Sequence, residues 1–245
     1  MKKLNRLGEK YMTNEGYEVE ITRYTSTRDV EVTFENGFKV ECQFIRVLKG
    51  RLKNPYHKAV CGVGFFGAGI YKSVFNKLVM KNYSTWSSMI KRCYDKKEQE
   101  KTPTYKGVTV CEEWHNFQNF AKWFEDNYIK DFHLDKDILI KGNKVYSPET
   151  CCFVPQEINC LFTNRKSKRG DLPIGVRKCG KNFVSQMTIN NEKIYLGTFY
   201  TVVEAFEAYK TAKESYIKEV ADKRKEKITD QVYQAMYDYK VEISD

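Results

Sequence analysis

From Tyr17 to Phe44 apolar and polar residues alternate in three short runs, YEVEITRY, DVEVTF and FKVECQF, separated by TSTR and by ENG. A period of two marks a strand with one buried face, and Asn-Gly is a strong hairpin signal. The runs therefore predict a small antiparallel sheet within residues 1–75. Beyond it the period lengthens. Trp86, Met89, Ile90, Cys93 and Tyr94 fall on one side of a helix, with Ser84 placed to cap its first turn, and Phe117, Phe120, Ala121 and Phe124 line a second helix. Aromatics in this arrangement read as core.

The segment FHLDKDILIKGNKVYSPETCCFVPQEINCLF divides into two strand-like pieces around Gly142-Asn143. Ser147-Pro148-Glu149 then predicts a helix start, with Ser147 as cap and Pro148 at the first position. In PIGVRKCGKNFVSQMTINNEKIYLGTF the period returns to two over three short strands. Alternate positions place Ile174, Val176, Phe183, Ser185, Met187, Ile194 and Leu196 on one face and Arg177, Gln186, Thr188, Lys193 and Tyr195 on the other. From Thr201 the pattern is helical. Ala205, Ala208 and Ala212 are small enough to let that helix lie close on the apolar face. The charge run DKRKEKITD reads as a solvated helical face, and Val232, Ala235, Met236 and Tyr239 keep helical spacing in the tail.

These elements predict a multi-domain α+β chain. The expected parts are a small β-barrel module at 1–75, resembling an SH3-type fold, and a ββα-containing segment with helices at 76–166. A three-stranded antiparallel sheet with a covering helix follows at 167–227, and a helical tail at 228–245. Gly62 to Gly67 match G-x-G-x-x-G, but no βαβ pattern surrounds them, so they read as tight turns rather than a dinucleotide site.

The chain has 245 residues and no apolar run near the roughly 20 needed to span a bilayer. MKKLNRLGEK has no apolar h-region, which gives the expectation of a cytoplasmic protein. Eight cysteines without a Cys-x-x-Cys pair read as reduced thiols. The formal charge of +10 points to a polyanionic partner, because neutralising phosphates releases counterions. Arg165, Lys166, Lys168 and Arg169 in TNRKSKRGD form a basic linker suited to tracking a phosphate backbone. The polar face of the C-terminal sheet is dressed for the same partner. A sheet face fits the DNA major groove, where Arg pairs with guanine, Gln with adenine, and Thr or Tyr with phosphates.

IGVRKCGKNFVSQMTINNEKIYLGTFYTVVEAFEAYKTAK resembles the Apetala/ethylene-response-factor DNA-binding domain in the form found in phage and mobile-element proteins. The matching pieces are Gly175-Val176-Arg177, Gly180-Lys181, the strand from Phe183, and Tyr195-Leu196-Gly197-Thr198-Phe199 with Thr201, Glu204, Ala205, Ala208 and Tyr209. The resemblance implies contacts to double-stranded DNA from Arg177, Lys181, Asn182, Gln186, Thr188, Lys193 and Tyr195. Gln186 and Thr188 stand where the plant domains carry an acid and an arginine, and Tyr195 replaces a tryptophan.

The central segment resembles a degenerate HNH unit of phage homing-type proteins, through Trp86, Met89, Arg92 and Cys93, then GVTVCEEW, then LDKDILIKGNKVYSPETCCFVPQEIN. The resemblance implies a metal-ligating acid at Asp135, Lys136 in place of the general-base His, Thr150 in place of a structural Asn, and a last ligand at Asn159. His133 lies on the same strand face as Asp135 and is the candidate substitute base. Asp135, Asp137 and Asn159 are the candidate oxygen ligands for Mg²⁺ or Mn²⁺. The expected function is sequence-preferring DNA binding by a phage- or prophage-encoded protein in a bacterial host cell, with metal-dependent cleavage or nicking. The alternative is a regulator or anti-defence factor that kept the scaffold and lost the chemistry. The N-terminal barrel offers a surface for a protein partner.

Overall fold

The computed structural model describes residues 6–162, 171–190 and 192–245. It is a mixed α+β chain with several small antiparallel sheets, and it divides into two compact units. One comprises Met1–Lys106 and Val110–Glu125, the other Gly107–Thr109 and Asp126–Asp245. The central segment expected from sequence is thus shared: its aromatic helices belong mainly to the first unit and its strand pair to the second.

In the first unit, β1 (Lys10–Met12), β2 (Glu18–Ser26), β3 (Asp29–Phe34) and β4 (Lys39–Cys42) form an antiparallel sheet in that order. Alternation places Val19, Ile21, Val30, Val32 and Phe34 inward, where they pack with Phe44, Val47 and Leu52. The short helix α1 (Phe44–Leu48), for which the sequence carried no read signal, supplies two of these lids. The ENG turn forms as expected, Gly37 at φ 81° closing back to Phe34.

A two-stranded hairpin follows, β5 (Val74–Phe75) with β6 (Leu78–Val79), and runs directly into α2 (Lys81–Tyr94). Trp86, Met89, Ile90 and Cys93 are buried as the helical period required. Ser84 is not the cap. It lies inside the first turn, its amide bonded to the Met80 carbonyl and its hydroxyl donating to the Lys81 carbonyl, because the hairpin starts the helix three residues earlier. Helices α3 (Lys96–Lys101) and α4 (Phe117–Asn127) complete the helical part. The buried face of α4 is the expected Phe117, Phe120, Ala121 and Phe124. The glycine-rich stretch does form turns, with Gly62 and Gly67 in the left-handed region. Gly64 abuts the Trp86 ring so closely that a Cβ would stand 2.9 Å from it.

In the second unit, Thr109 of the short β7 (Thr109–Val110) donates its amide to the Lys144 carbonyl beside β9 (Val145–Tyr146). Strand β8 (His133–Asp135) pairs antiparallel with β10 (Cys152–Val154), and α5 (Gln156–Leu161) follows. Two local expectations are corrected here. The strand pieces do not pair around Gly142-Asn143. Ser147-Pro148-Glu149 makes one turn, its first carbonyl accepting from Thr150 and Cys151, and the chain then extends into β10 before Pro155 opens the helix. Phe153 and Val154 are buried and paired, so the chain gains more by continuing the sheet than by winding a helix at residue 148.

The C-terminal sheet is β11 (Val176–Cys179), β12 (Asn182–Ile189) and β13 (Glu192–Phe199), in that order and antiparallel throughout. Its cover is α6 (Val202–Arg224), started by a complete capping box between Thr201 and Glu204. Only the first three residues of the run DKRKEKITD, Asp222 to Arg224, belong to that helix. α6 ends at Arg224, a single 3-10 turn follows, and Thr229 caps α7 (Asp230–Asp238).

The long helix serves two cores. Its first half buries Phe206 and Tyr209 against Ile174, Val176, Met187 and Leu196 of the sheet. Its second half buries Ile217, Val220 and Ala221 with Ile138, Val154 and Ile158, and with Val232 and Met236 of α7. Gly175, at φ 79°, lies so near the Tyr209 ring that a Cβ would come within 2.0 Å of it. No helix among the described residues is long and apolar enough to cross a membrane.

Candidate functional site

Register sorts the C-terminal sheet into two faces. Gln186 stands opposite Tyr195, Thr188 opposite Lys193, and Arg177 opposite Val184. Side chains two apart on a strand share a face, so Arg177, Asn182, Gln186, Thr188, Lys193 and Tyr195 project together, away from α6. Arg177, Thr188, Lys193 and Tyr195 are exposed, Tyr195 at 64%. Gln186 is half-buried, and Val184 between these positions is buried. The guanidinium Nε of Arg177 donates to Gln186 Oε1 at 3.3 Å, which holds both polar ends above the middle strand. Lys181 lies in the two-residue loop joining β11 to β12, where Gly180 at φ 60° takes the first position, as in a type II′ turn. This places Lys181 at the edge of the same sheet.

Period-two counting missed one member of the face. The register slips between Ser185 and Gln186, so that β13 carries an extra residue at Leu196. The slip brings Thr198 onto the side of Tyr195, and their hydroxyls stand 2.7 Å apart. Gly197 inside a strand was the available signal, since glycine there often marks a bulge. The outward positions hold no acidic residue, so the face is cationic with hydrogen-bonding groups between the charges. Arg165, Lys166, Lys168 and Arg169 of the basic linker lie outside the described residues.

The other candidate group surrounds β8. His133 and Asp135 share one side of the strand, His133 exposed and Asp135 opposite Cys152. The Asp135 carboxylate is turned inward. Its Oδ1 accepts the amides of Asp137 and Ile138 at 2.7 and 2.8 Å, fixing the chain as it leaves the strand. Burial holds this carboxyl above the usual aspartate range, partly opposed by those two amides. Burial likewise pushes the neighbouring Cys152 thiol well up, with the Asp135 charge adding to the effect.

Lys136 does not point at an open site. It is 8% exposed, and its ammonium donates to Asp137 Oδ1 at 2.5 Å and to the Asn143 carbonyl at 2.8 Å, above the Tyr146 ring. Asn143 returns a bond from its side-chain amide to the Lys136 carbonyl. Thr150, which stands where a structural Asn is expected, donates to the Val145 carbonyl and shares a contact with Ser147. Asn159 lies in the middle of α5.

These donors do not fit a resident divalent cation. One oxygen of Asp135 is committed to two amides, Asp137 is neutralised by an ammonium, and a Mg²⁺ ion demands several oxygens in octahedral order. Among the described residues no three His, Cys, Asp or Glu side chains converge. The arrangement is instead a locked loop, closed by a lysine where the family resemblance expects a base. Compared with known proteins, the chain matches no family model, no curated protein and no solved structure.

Proposed function

We propose that the chain is a sequence-preferring, double-stranded DNA-binding protein that acts through the outward face of its C-terminal sheet. The observation that carries this reading is the shared register of Arg177, Gln186, Lys193 and Tyr195 on the side opposite α6. A ribbon of this width fits the major groove. Arg177 is suited to guanine O6 and N7, Gln186 to adenine, and Lys181, Thr188, Lys193, Tyr195 and Thr198 to phosphates. The linker cations Arg165, Lys166, Lys168 and Arg169 would add sequence-independent attraction. In this reading the β8–β10–α5 unit is a degenerate HNH scaffold retained for its packing, and the N-terminal sheet is an SH3-like module.

The test is a salt titration of the full chain on random and selected duplexes. Affinity is expected to fall steeply between about 50 and 200 mM salt, and replacing Arg177 and Gln186 with alanine is expected to erase preference between sequences. Binding that ignores salt, or that ignores those two substitutions, would sink the reading. A second reading, metal-dependent nicking or cleavage, has in its favour only the strand-loop-strand-helix order at β8, β10 and α5, since the side chains around Asp135 do not fit a resident ion. It predicts discrete fragments in Mg²⁺ or Mn²⁺, whereas the scaffold reading predicts intact DNA.

A further inference from the structure

The β5–β6 hairpin of the first unit hides neither of its faces. Val74 pairs with Val79 and Phe75 with Leu78, so the two pairs project from opposite sides, yet all four side chains are exposed, Phe75 at 56% and Leu78 at 72%. Ile70 and Met80 beside them are exposed too. An apolar ribbon open on both sides costs free energy in water unless a partner covers it. Its tip is Asn76-Lys77, both in the left-handed region at φ 47° and 66°, as a type I′ turn requires. Lysine visits that region rarely, so the tip carries a cation at a position better suited to glycine.

The chain around the ribbon is basic in sequence, although Tyr71 at its foot reaches the Glu125 carboxylate. From Cys42 to Tyr94 the chain has ten Lys and Arg residues and no Asp or Glu, so this segment alone carries a charge equal to the +10 of the whole protein. Lys72, Lys77 and Lys81 flank the ribbon, and none of them pairs with a carboxylate among the described residues.

We infer that the hairpin is a wedge for duplex DNA: it enters a groove and sets Phe75 and Leu78 against a base step while Lys72, Lys77 and Lys81 meet the flanking phosphates. The inference rests on the DNA-binding reading above. Two residues per arm at about 3.3 Å each, plus the turn, reach roughly 10 Å, comparable with a groove depth of about 7.5 to 8.5 Å. Apolar side chains inserted between base steps are an established way for proteins to kink a duplex. Charge and shape select this occupant over others. A bilayer would have to take the Lys77 ammonium deepest of all, where a cation is least tolerated. A second copy would bring two acid-free basic segments together, and these repel.

The experiment uses the full chain and a short duplex carrying 2-aminopurine at successive steps and a dye at each end. Wild-type protein is expected to raise 2-aminopurine emission at least twofold at one step and to shorten the end-to-end distance. A Phe75→Ser/Leu78→Ser protein, altered only at exposed positions, is expected to keep salt-dependent binding while leaving both signals at free-duplex values. Replacing Lys72, Lys77 and Lys81 with Gln should lower the slope of log affinity against log salt by about 0.9 for each phosphate contact removed. The wedge is overturned if the serine variant unstacks and bends DNA like wild type, or if wild type binds with neither signal. It is equally overturned if the serine substitutions abolish adsorption to phosphatidylserine vesicles or self-association in sedimentation while leaving the DNA signals intact. Absence of any DNA binding by wild type overturns the broader reading along with the wedge. Binding lost on Arg177→Ala but indifferent to every hairpin variant overturns the wedge alone.

Discussion

The ammonium of Lys136 and the carboxylate of Asp137 stand 2.5 Å apart, and the lysine side chain is only 10% exposed. A buried donor with a neighbouring carboxylate and a backbone carbonyl as acceptors is a structural tie. Lys136→Ala should therefore leave the Asn143 carbonyl and Asp137 without their donor and lower stability by about 1–3 kcal/mol, read from urea unfolding. If it leaves unfolding unchanged, the locked-loop account of this segment is mistaken.

Gly175 faces the Tyr209 ring with no room for a methyl group and with φ in the left-handed region. Gly175→Ala should cost about 1–3 kcal/mol from overpacking, with backbone strain added. Tyr209→Leu in the same background should recover part of that loss, since it removes the ring that the new Cβ strikes.

Arg177 and Lys193 are expected to separate specificity from grip. Arg177→Ala should weaken binding to a selected site by about 1–3 kcal/mol and relax base preference there. Lys193→Ala should weaken all duplexes alike and reduce the salt slope by about 1. A competition assay across a small panel of duplexes distinguishes the two.

Lys213 on α6 is held below the ordinary lysine range by burial. A lysine with a depressed folded value is bound more tightly by protons in the unfolded chain. Its burial penalty is therefore fully present below the folded value and fades as pH rises toward about 10.4, the ordinary lysine pKa. Lys213→Met should melt higher than wild type at pH 7, and the gap should narrow near pH 10. A gap that widens with pH would reverse the sign of the argument.

Thr201 and Glu204 exchange bonds across the start of α6. Thr201→Ala should cost about 1 kcal/mol of stability, seen by thermal denaturation, while Thr201→Ser should cost little.

The parts legible in the sequence are those where one period dominates. The alternation through Val19, Ile21, Val30, Val32 and Phe34 gave β2 and β3, though not the short β1, and that through Phe183, Ser185 and Met187 gave the middle strand of the C-terminal sheet. Helical spacing at Trp86, Met89, Ile90 and Cys93 gave α2 with its buried side. What stayed hidden depends on contacts distant in sequence. Ser147-Pro148-Glu149 has the local form of a helix start, but pairing of Phe153 with Leu134 draws the following residues into a sheet. β5–β6 lacks both a polar face and a turn glycine, so alternation could not announce it. Thr198 joined the polar face only through a slip of register that no counting of alternate residues anticipates. At β8, Lys136 showed only that a base was missing; its bond to Asp137 emerged once the loop was closed.

The division of labour along α6 has a practical meaning for anyone dissecting the protein. A fragment cut after residue 227 would strip Val232 and Met236 from the stripe formed by Ile217, Val220 and Ala221, and would also take Tyr239 and Val241 from the core that Phe206 and Tyr209 make with the sheet. Half of the helix would then be greasy and uncovered, prone to stick to itself or to fray back toward the strands. The sheet and the β8 loop should accordingly melt as one cooperative block, and a disturbance in the tail should be felt at the far end of the same rod.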